Sequence, residues 1–278
     1  MGFIEKVKNG WKICELSLKV LQSNKKLIIF PIISGIALFV ILTSFFIGIG
    51  AALGWHFEQL NQSDNNVMRY LVTFVVYLVS YTVVIFFNIA LMHCVKLYFQ
   101  GKEVSLSIGF KYSVSRLAYI ISWSAFAATV GLILKIIQDN VGKLGKILVG
   151  LLGIAWGIST FFVVPIVAYE DKSPWNALKE SVEMMKKVWG ESLTAGFSFG
   201  ILQFCALIVM AVFSVALILV NVYVGIAVFV LGLVLIFSVF SSLNSIFISA
   251  IYIKVSTDID VKEFAGTDVQ ELFVQKQK

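Results

Sequence analysis

Charge is what this sequence has least of. Only 14% of its 278 residues are Asp, Glu, Lys or Arg, against about a quarter in an ordinary soluble chain, and 59% are hydrophobic, for a mean hydropathy of +0.92. A soluble globular fold is thereby excluded. Histidine is nearly missing too, and two residues, His56 and His93, do not make a histidine-based metal centre. The three cysteines, Cys14, Cys94 and Cys205, lie far apart without a CxxC, so neither a disulfide framework nor a thiolate metal site is expected. Also absent are GxSxG, a Walker loop, HExxH and any metal-spaced acidic cluster. No polar stretch is long enough to house a catalytic domain. The expectation is a protein that is not an enzyme, with no catalytic residue, cofactor or metal ligand.

What the sequence does have is long apolar runs. Six are expected to cross a membrane, near residues 27–53, 68–97, 117–137, 147–168, 192–219 and 226–253, giving an all-α polytopic transmembrane bundle. The first run is too long for a signal-peptide core and shows no small-residue cleavage site, so it is expected to remain as a span. From Ser192 to Ile253 there are 62 residues without a charge. At about 1.5 Å per helical residue this exceeds a single crossing, and Asn221, Tyr223 and Gly225 offer the turn between two spans. The spans are expected to form one transmembrane domain over residues 1–255, followed by a mixed-charge tail over 256–278.

Six crossings put both ends of the chain on one side, and the basic residues fit that topology. Lys and Arg number six before the first span, four between spans two and three, four between spans four and five and four in the tail. Only Arg69, Lys135, Lys143 and Lys146 fall on the other side. Positive-inside asymmetry therefore predicts cytoplasmic termini. The formal charge of +6 is accounted for by this distribution, and no nucleic-acid partner is expected.

Between spans four and five lies VVPIVAYEDKSPWNALKESVEMMKKVWGES, residues 163–192. Ser173 and Pro174 start a helix there, since proline at the first helical position gives up no hydrogen bond. Trp175, Leu178, Val182, Met185 and Trp189 recur on one face of a helix over residues 174–189, which Gly190 is expected to stop. Lys179, Glu180, Glu183, Lys186 and Lys187 take the opposite face. Residues 3–22 repeat the theme. Ile4, Val7, Trp11, Cys14, Leu18 and Leu21 share a face, and Lys6, Lys8, Lys12 and Lys19 lie off it. Such helices suit a bilayer interface, a groove between other helices, or simple packing on the parent bundle. Their lipid- or partner-facing residues are expected to be Trp11, Trp175, Leu178, Met185, Lys186, Lys187 and Trp189.

A connector over residues 100–116 carries both strand-like and helix-like spacing, and helix is the better fit close to hydrocarbon. Each surface segment precedes a pair of spans, which suggests three helix-plus-hairpin repeats; Ser17 and Ser34 match Ser181 and Ser198 in spacing. Polar residues within spans are few: Asn88 and His93 in the second, Gln203 in the fifth, and Ser238, Ser241 or Ser242, Ser245 and Ser249 with Asn244 in the sixth. Asn88, His93, Ser241, Asn244 and Ser245 define a polar track for a solute, or else ordinary interhelical hydrogen bonding. Gly153 and Gly157, with Gly150 nearby, and Gly196 and Gly200 are spaced for close backbone approach, within the chain or between copies. Glu170 and Asp171 are expected to cap the helix that follows them rather than to do acid–base chemistry.

The runs FFNIALMHCVKLYFQGKEVSL and FFVVPIVAYEDKSPWNALKESVEMMKKVWGESL resemble a family of six-helix bacterial integral membrane proteins of unknown function. More distantly they are similar to the membrane domain fused to some glycerophosphodiester phosphodiesterases. The shared pattern is a proline near the end of a span, an acidic residue, and an A-L-x-x-S surface helix ending near a tryptophan. The resemblance implies a bacterial cytoplasmic membrane and brings no activity, because the phosphodiesterase barrel is absent. The expected function is that of a scaffold, accessory subunit or lipid-handling protein working through its amphipathic helices. Membrane lipids are the expected partners, with a protein partner or a second copy besides. The alternative is a transporter or channel for a lipid or other amphiphile.

Overall fold

The computed structural model describes the backbone of residues 3–56, 66–187 and 189–257. Every regular element among them is helical. In chain order these are α1 (Phe3–Ser23), a short 3-10 turn (Lys25–Ile28), α2 (Ile29–Ala52), α3 (Asn66–Phe99), α4 (Leu106–Ser115), α5 (Leu117–Asn140), α6 (Lys143–Ser159), α7 (Val163–Tyr169), α8 (Pro174–Lys187), α9 (Trp189–Val220) and α10 (Val222–Thr257). Six stretches are long and apolar enough to cross a membrane: Lys25–Ala52, Val67–Phe99, Leu117–Asn140, Lys143–Tyr169, Phe199–Val220 and Val222–Ile253. Their number is that of the six expected spans. The polar loop over 57–65 and the tail beyond residue 257 lie outside the described residues.

Local chemistry explains most of the boundaries. Connector residues 106–115 are helical, the alternative expected close to hydrocarbon. The long uncharged stretch divides at Asn221, whose Oδ1 accepts the N–H groups of Tyr223 and Val224 at 3.0 and 3.2 Å, an N-cap that starts α10. Gly225 is required there, because a Cβ would stand 2.3 Å from Ile218 Cγ1. One boundary differs from expectation. α8 ends at Lys187 and α9 already includes Trp189, so Gly190 lies inside a helix instead of stopping one. Pro165 falls within the fourth span, whose expected bounds already reach past it. It sits in the first turn of α7, where its missing N–H is not needed.

The helices group into two compact units. One gathers residues 1–32, 90–109 and 183–278. Within it α1 packs against α9 and α10, which also pack on each other. Its interior holds Leu16, Val20, Leu21, Phe30, Leu91, Met185, Ile246, Phe247 and Ile251. Close approach is enforced at Gly109, where a Cβ would come within 2.9 Å of Cys94 Sγ and of the Ala90 carbonyl and within 2.7 Å of Phe30 Cζ. The other unit comprises residues 33–89 and 110–182. There α5 packs against α6 and α7, around Ile85, Ile89, Ile120, Trp123, Phe162, Val163, Ile166 and Val167. Close packing within the chain is not seen at Gly150, Gly153, Gly157 or Gly200 among the described residues; a Cβ at each would meet nothing within 4 Å. Gly196 has no described side-chain environment.

Candidate functional site

The most elaborate polar construction surrounds α7 and lies wholly in the second unit. A proline at position 165 cannot donate to the carbonyl of Phe161 and its ring crowds that carbonyl, so a continuous helix through 165 is disfavoured. The fourth span accordingly breaks at residues 160–162, just before α7. Thr160 closes the upstream helix through its Oγ, which donates to the Trp156 carbonyl at 2.9 Å. The break leaves the N–H of fully buried Phe162 to be satisfied from elsewhere, and it donates to Ser181 Oγ of α8 at 3.0 Å. Ser181 is itself wholly buried.

At its other end α7 presents the carbonyls that a helix C-terminus leaves without intrahelical donors. The Tyr112 hydroxyl donates to the Ala168 carbonyl at 2.6 Å. Arg116, in the bend between α4 and α5, donates from Nε and Nη2 to Val167 O at 3.1 and 3.0 Å. Nη2 also reaches Glu170 O, and Nη1 pairs with Asp171 Oδ1 at 2.6 Å. Only the forked guanidinium can serve three acceptors in this way. Its outer face covers the Tyr119 ring, 4.1 Å from the centroid. Lys172 bridges Glu170, at 2.6 Å, and Glu180 of α8.

These contacts fix the charges. Hydrogen bonds from Arg116 and then Tyr119 hold the Asp171 carboxyl below its ordinary range. Burial by itself would lower Lys172, but its bonds to Glu170 and Glu180 outweigh that and raise it. Burial and the nearby Asp171 carboxylate raise the Tyr112 hydroxyl against the opposing pull of Arg116, so Tyr112 remains a donor at neutral pH. The capping role expected for the acidic pair belongs to Ser173, whose Oγ accepts the Asn176 N–H at 3.4 Å. Asp171 serves Arg116 and Glu170 serves Lys172.

Beside this clasp is an aromatic wall. Trp123 and Trp156 stack at 6.0 Å with planes 4° apart, Phe126 leans on both, and Trp175 meets Phe126 edge-on at 6.4 Å. Trp175 is 55% exposed, and Lys179 Nζ lies 5.6 Å from its ring centroid.

The expected lipid- or partner-facing residues divide accordingly. α8 buries Ala177, Ser181, Met184 and Met185, so Met185 is a packing residue. Leu178 is half-buried, whereas Trp175, Lys186 and Lys187 are exposed. Trp189 opens α9, and its side chain lies outside the described residues. α1 has the same layout: Leu16, Ser17, Val20 and Leu21 are buried, and Trp11 is 59% exposed. In both helices an exposed tryptophan precedes a wholly buried serine by six positions, about 120° around the axis. α4 also buries a serine, Ser113, whose hydroxyl donates to Phe86 O at 2.8 Å.

The polar-track residues are more scattered. Asn88 falls in the second unit, and His93, Ser241, Asn244 and Ser245 fall in the first. Ser242, not Ser241, shares the buried face with Ser238, Ser245 and Ser249, and its hydroxyl donates to the Ser238 carbonyl at 2.9 Å. Among the described residues no cluster of three His, Cys, Asp or Glu is placed to hold a metal ion. Arg116 and Tyr112 escaped the sequence reading. The available signal was composition: the chain has two arginines against twenty lysines, and one of the two sits at the junction of a connector with a span.

Six apolar helices of spanning length, with short helices between them, define a multi-pass α-helical membrane protein. The chain belongs to the family of unknown function DUF6159, whose model matches residues 67–261. No curated protein matches it.

Proposed function

We propose that this is a non-enzymatic protein of a bacterial cytoplasmic membrane, with both termini in the cytoplasm, acting as a scaffold, accessory subunit or lipid-handling protein through α1 and α8. The orientation follows from the lysine asymmetry. The likeness to the membrane domain of glycerophosphodiester phosphodiesterases, carried by the proline, acidic residue and A-L-x-x-S pattern, agrees with a lipid environment for that face. One observation carries the reading: α8 uses its small and methionine side chains to pack on the protein and turns Trp175, Lys179, Lys186 and Lys187 outward. An exposed indole flanked by lysines is the arrangement that seats at a headgroup boundary.

The test is depth-dependent quenching of a variant that keeps only Trp175, reconstituted with bromine-labelled lipids. Strong quenching from bromines near the headgroup supports the proposal. No quenching from any depth refutes it.

A second reading, passage of a lipid or other amphiphile, is favoured by the Ser249 hydroxyl, which is buried in the sixth span and has no hydrogen-bond partner among the described residues. Reaction of Ser249→Cys with a water-soluble thiol reagent in sealed vesicles would support it, and full protection would dismiss it.

A further inference from the structure

We propose that α8 is a lever through which anionic phospholipid at the membrane surface sets the order of the broken fourth span. The inference rests on the reading of α8 as a lipid-facing helix and adds the class of lipid and what its binding does. Three observations meet on one element. The outward side of α8 carries Trp175, Lys179, Lys186 and Lys187, with Glu183 the exposed carboxylate among them. Glu180 is occupied by Lys172, so it does not neutralise that surface. A net positive, tryptophan-bearing face complements anionic headgroups, each basic residue near such a surface contributing about 1 kcal/mol.

The inward side of the same helix carries Ser181, which accepts the Phe162 N–H at the break. Non-helical backbone at membrane depth is tolerated only where it is buried and its polar groups are satisfied. Phe162 and Val163 are wholly buried, and Ser181 is the side chain that takes up the Phe162 amide. α7 is therefore held at its far end by Tyr112 and Arg116, which belong to other elements, and at its near end by α8. A displacement of α8 toward or away from the headgroups acts on the near end through Ser181; at the far end α8 is joined only through the Lys172 bridge between Glu170 and Glu180, and there Tyr112 and Arg116 hold α7 independently of α8. Lipid that draws α8 into its seated position keeps the Ser181 bond closed and residues 160–169 ordered; loss of that lipid frees the near end while the Arg116 clasp keeps the far end fixed.

The experiment is amide hydrogen exchange of the full chain in nanodiscs of phosphatidylcholine alone or mixed with phosphatidylglycerol. Phosphatidylglycerol is expected to slow exchange in α8 and in residues 160–169 together. In Ser181→Ala the α8 response should persist, whereas residues 160–169 should exchange about fivefold faster, as the net worth of one hydrogen bond dictates, and ignore lipid charge. The variant Lys179→Gln/Lys186→Gln/Lys187→Gln, altered only at exposed positions, should lose both responses to phosphatidylglycerol while matching the parent in phosphatidylcholine. Slowing of α8 without any change in residues 160–169 overturns the coupling and leaves the lipid-facing reading standing. Indifference of α8 itself to phosphatidylglycerol overturns both.

Discussion

Replacing Arg116 with alanine tests the clasp around α7 most directly. The side chain is 14% exposed, and it supplies two hydrogen bonds to the carbonyl of Val167, one to that of Glu170 and an ion pair to Asp171. These contributions are unequal. Asp171 is 73% exposed, so its pairing is screened by solvent and contributes little. Val167 is 2% exposed, and removing a charged donor from a buried carbonyl costs about 1–3 kcal/mol. The contact with the Tyr119 ring adds a smaller, solvent-screened share. The expected loss for Arg116→Ala is therefore about 1–3 kcal/mol, set by the buried carbonyl. Asp171→Asn, which spares the carbonyls, should cost clearly less. Arg116→Lys should fall between them, since an ammonium restores charge without the fork. Equilibrium unfolding in mixed micelles, followed by helical circular dichroism, measures all three. If Arg116→Ala proved no more costly than Asp171→Asn, the exposed ion pair would be the working interaction and the carbonyl clasp would be wrong.

Other substitutions address single contacts. Tyr112→Phe removes the donor to Ala168 O and should destabilise by about 1–2 kcal/mol in the same unfolding assay. Gly109→Ala forces a methyl against Phe30, Cys94 and the Ala90 carbonyl, and should lower stability by about 1–3 kcal/mol; Gly150→Ala, facing open space, should stay within about 0.5 kcal/mol of the parent. Asp171 has a depressed pKa in the folded protein, so its stabilisation is fully present above the ordinary aspartate pKa of about 4 and is lost as pH falls through the lower folded value. Thermal midpoints measured across that acid range should therefore converge for parent and Asp171→Asn, the parent being the more stable at neutral pH. Among single-tryptophan variants, the one retaining Trp175 should be quenched by aqueous iodide or labelled lipid far more than the one retaining Trp123, which is 4% exposed.

The span count and the helical class were legible because hydrophobic length is a one-dimensional property: a run such as Val222–Ile253 must cross hydrocarbon wherever its neighbours lie. The cap at Asn221 and the helix start at Ser173 and Pro174 were equally legible, since the groups that satisfy one another there are two or three residues apart. Rotation of the surface helices was not. Spacing put Trp175 and Met185 on one stripe, but burial separates them, leaving Trp175 outside and Met185 inside. An apolar stripe shows which residues avoid water and does not distinguish lipid from protein as their refuge.

The Glu170 and Asp171 pair shows the same limit from the polar side. By sequence an acidic pair ahead of a helix start is a cap, because the nearest N–H groups along the chain belong to that helix. Only the folded chain brings Arg116 to within 2.6 Å of a carboxylate 55 residues away and Ser181 to within 3.0 Å of an amide 19 residues away. Sequence alone determined that the chain crosses the membrane six times with short helices between, because apolar length and local caps act along the chain. The tertiary structure decided where the fourth span breaks, what holds the fragment beyond the break, and which face of α8 is left exposed. Those outcomes depend on satisfying buried backbone groups with donors and acceptors that no local spacing reveals.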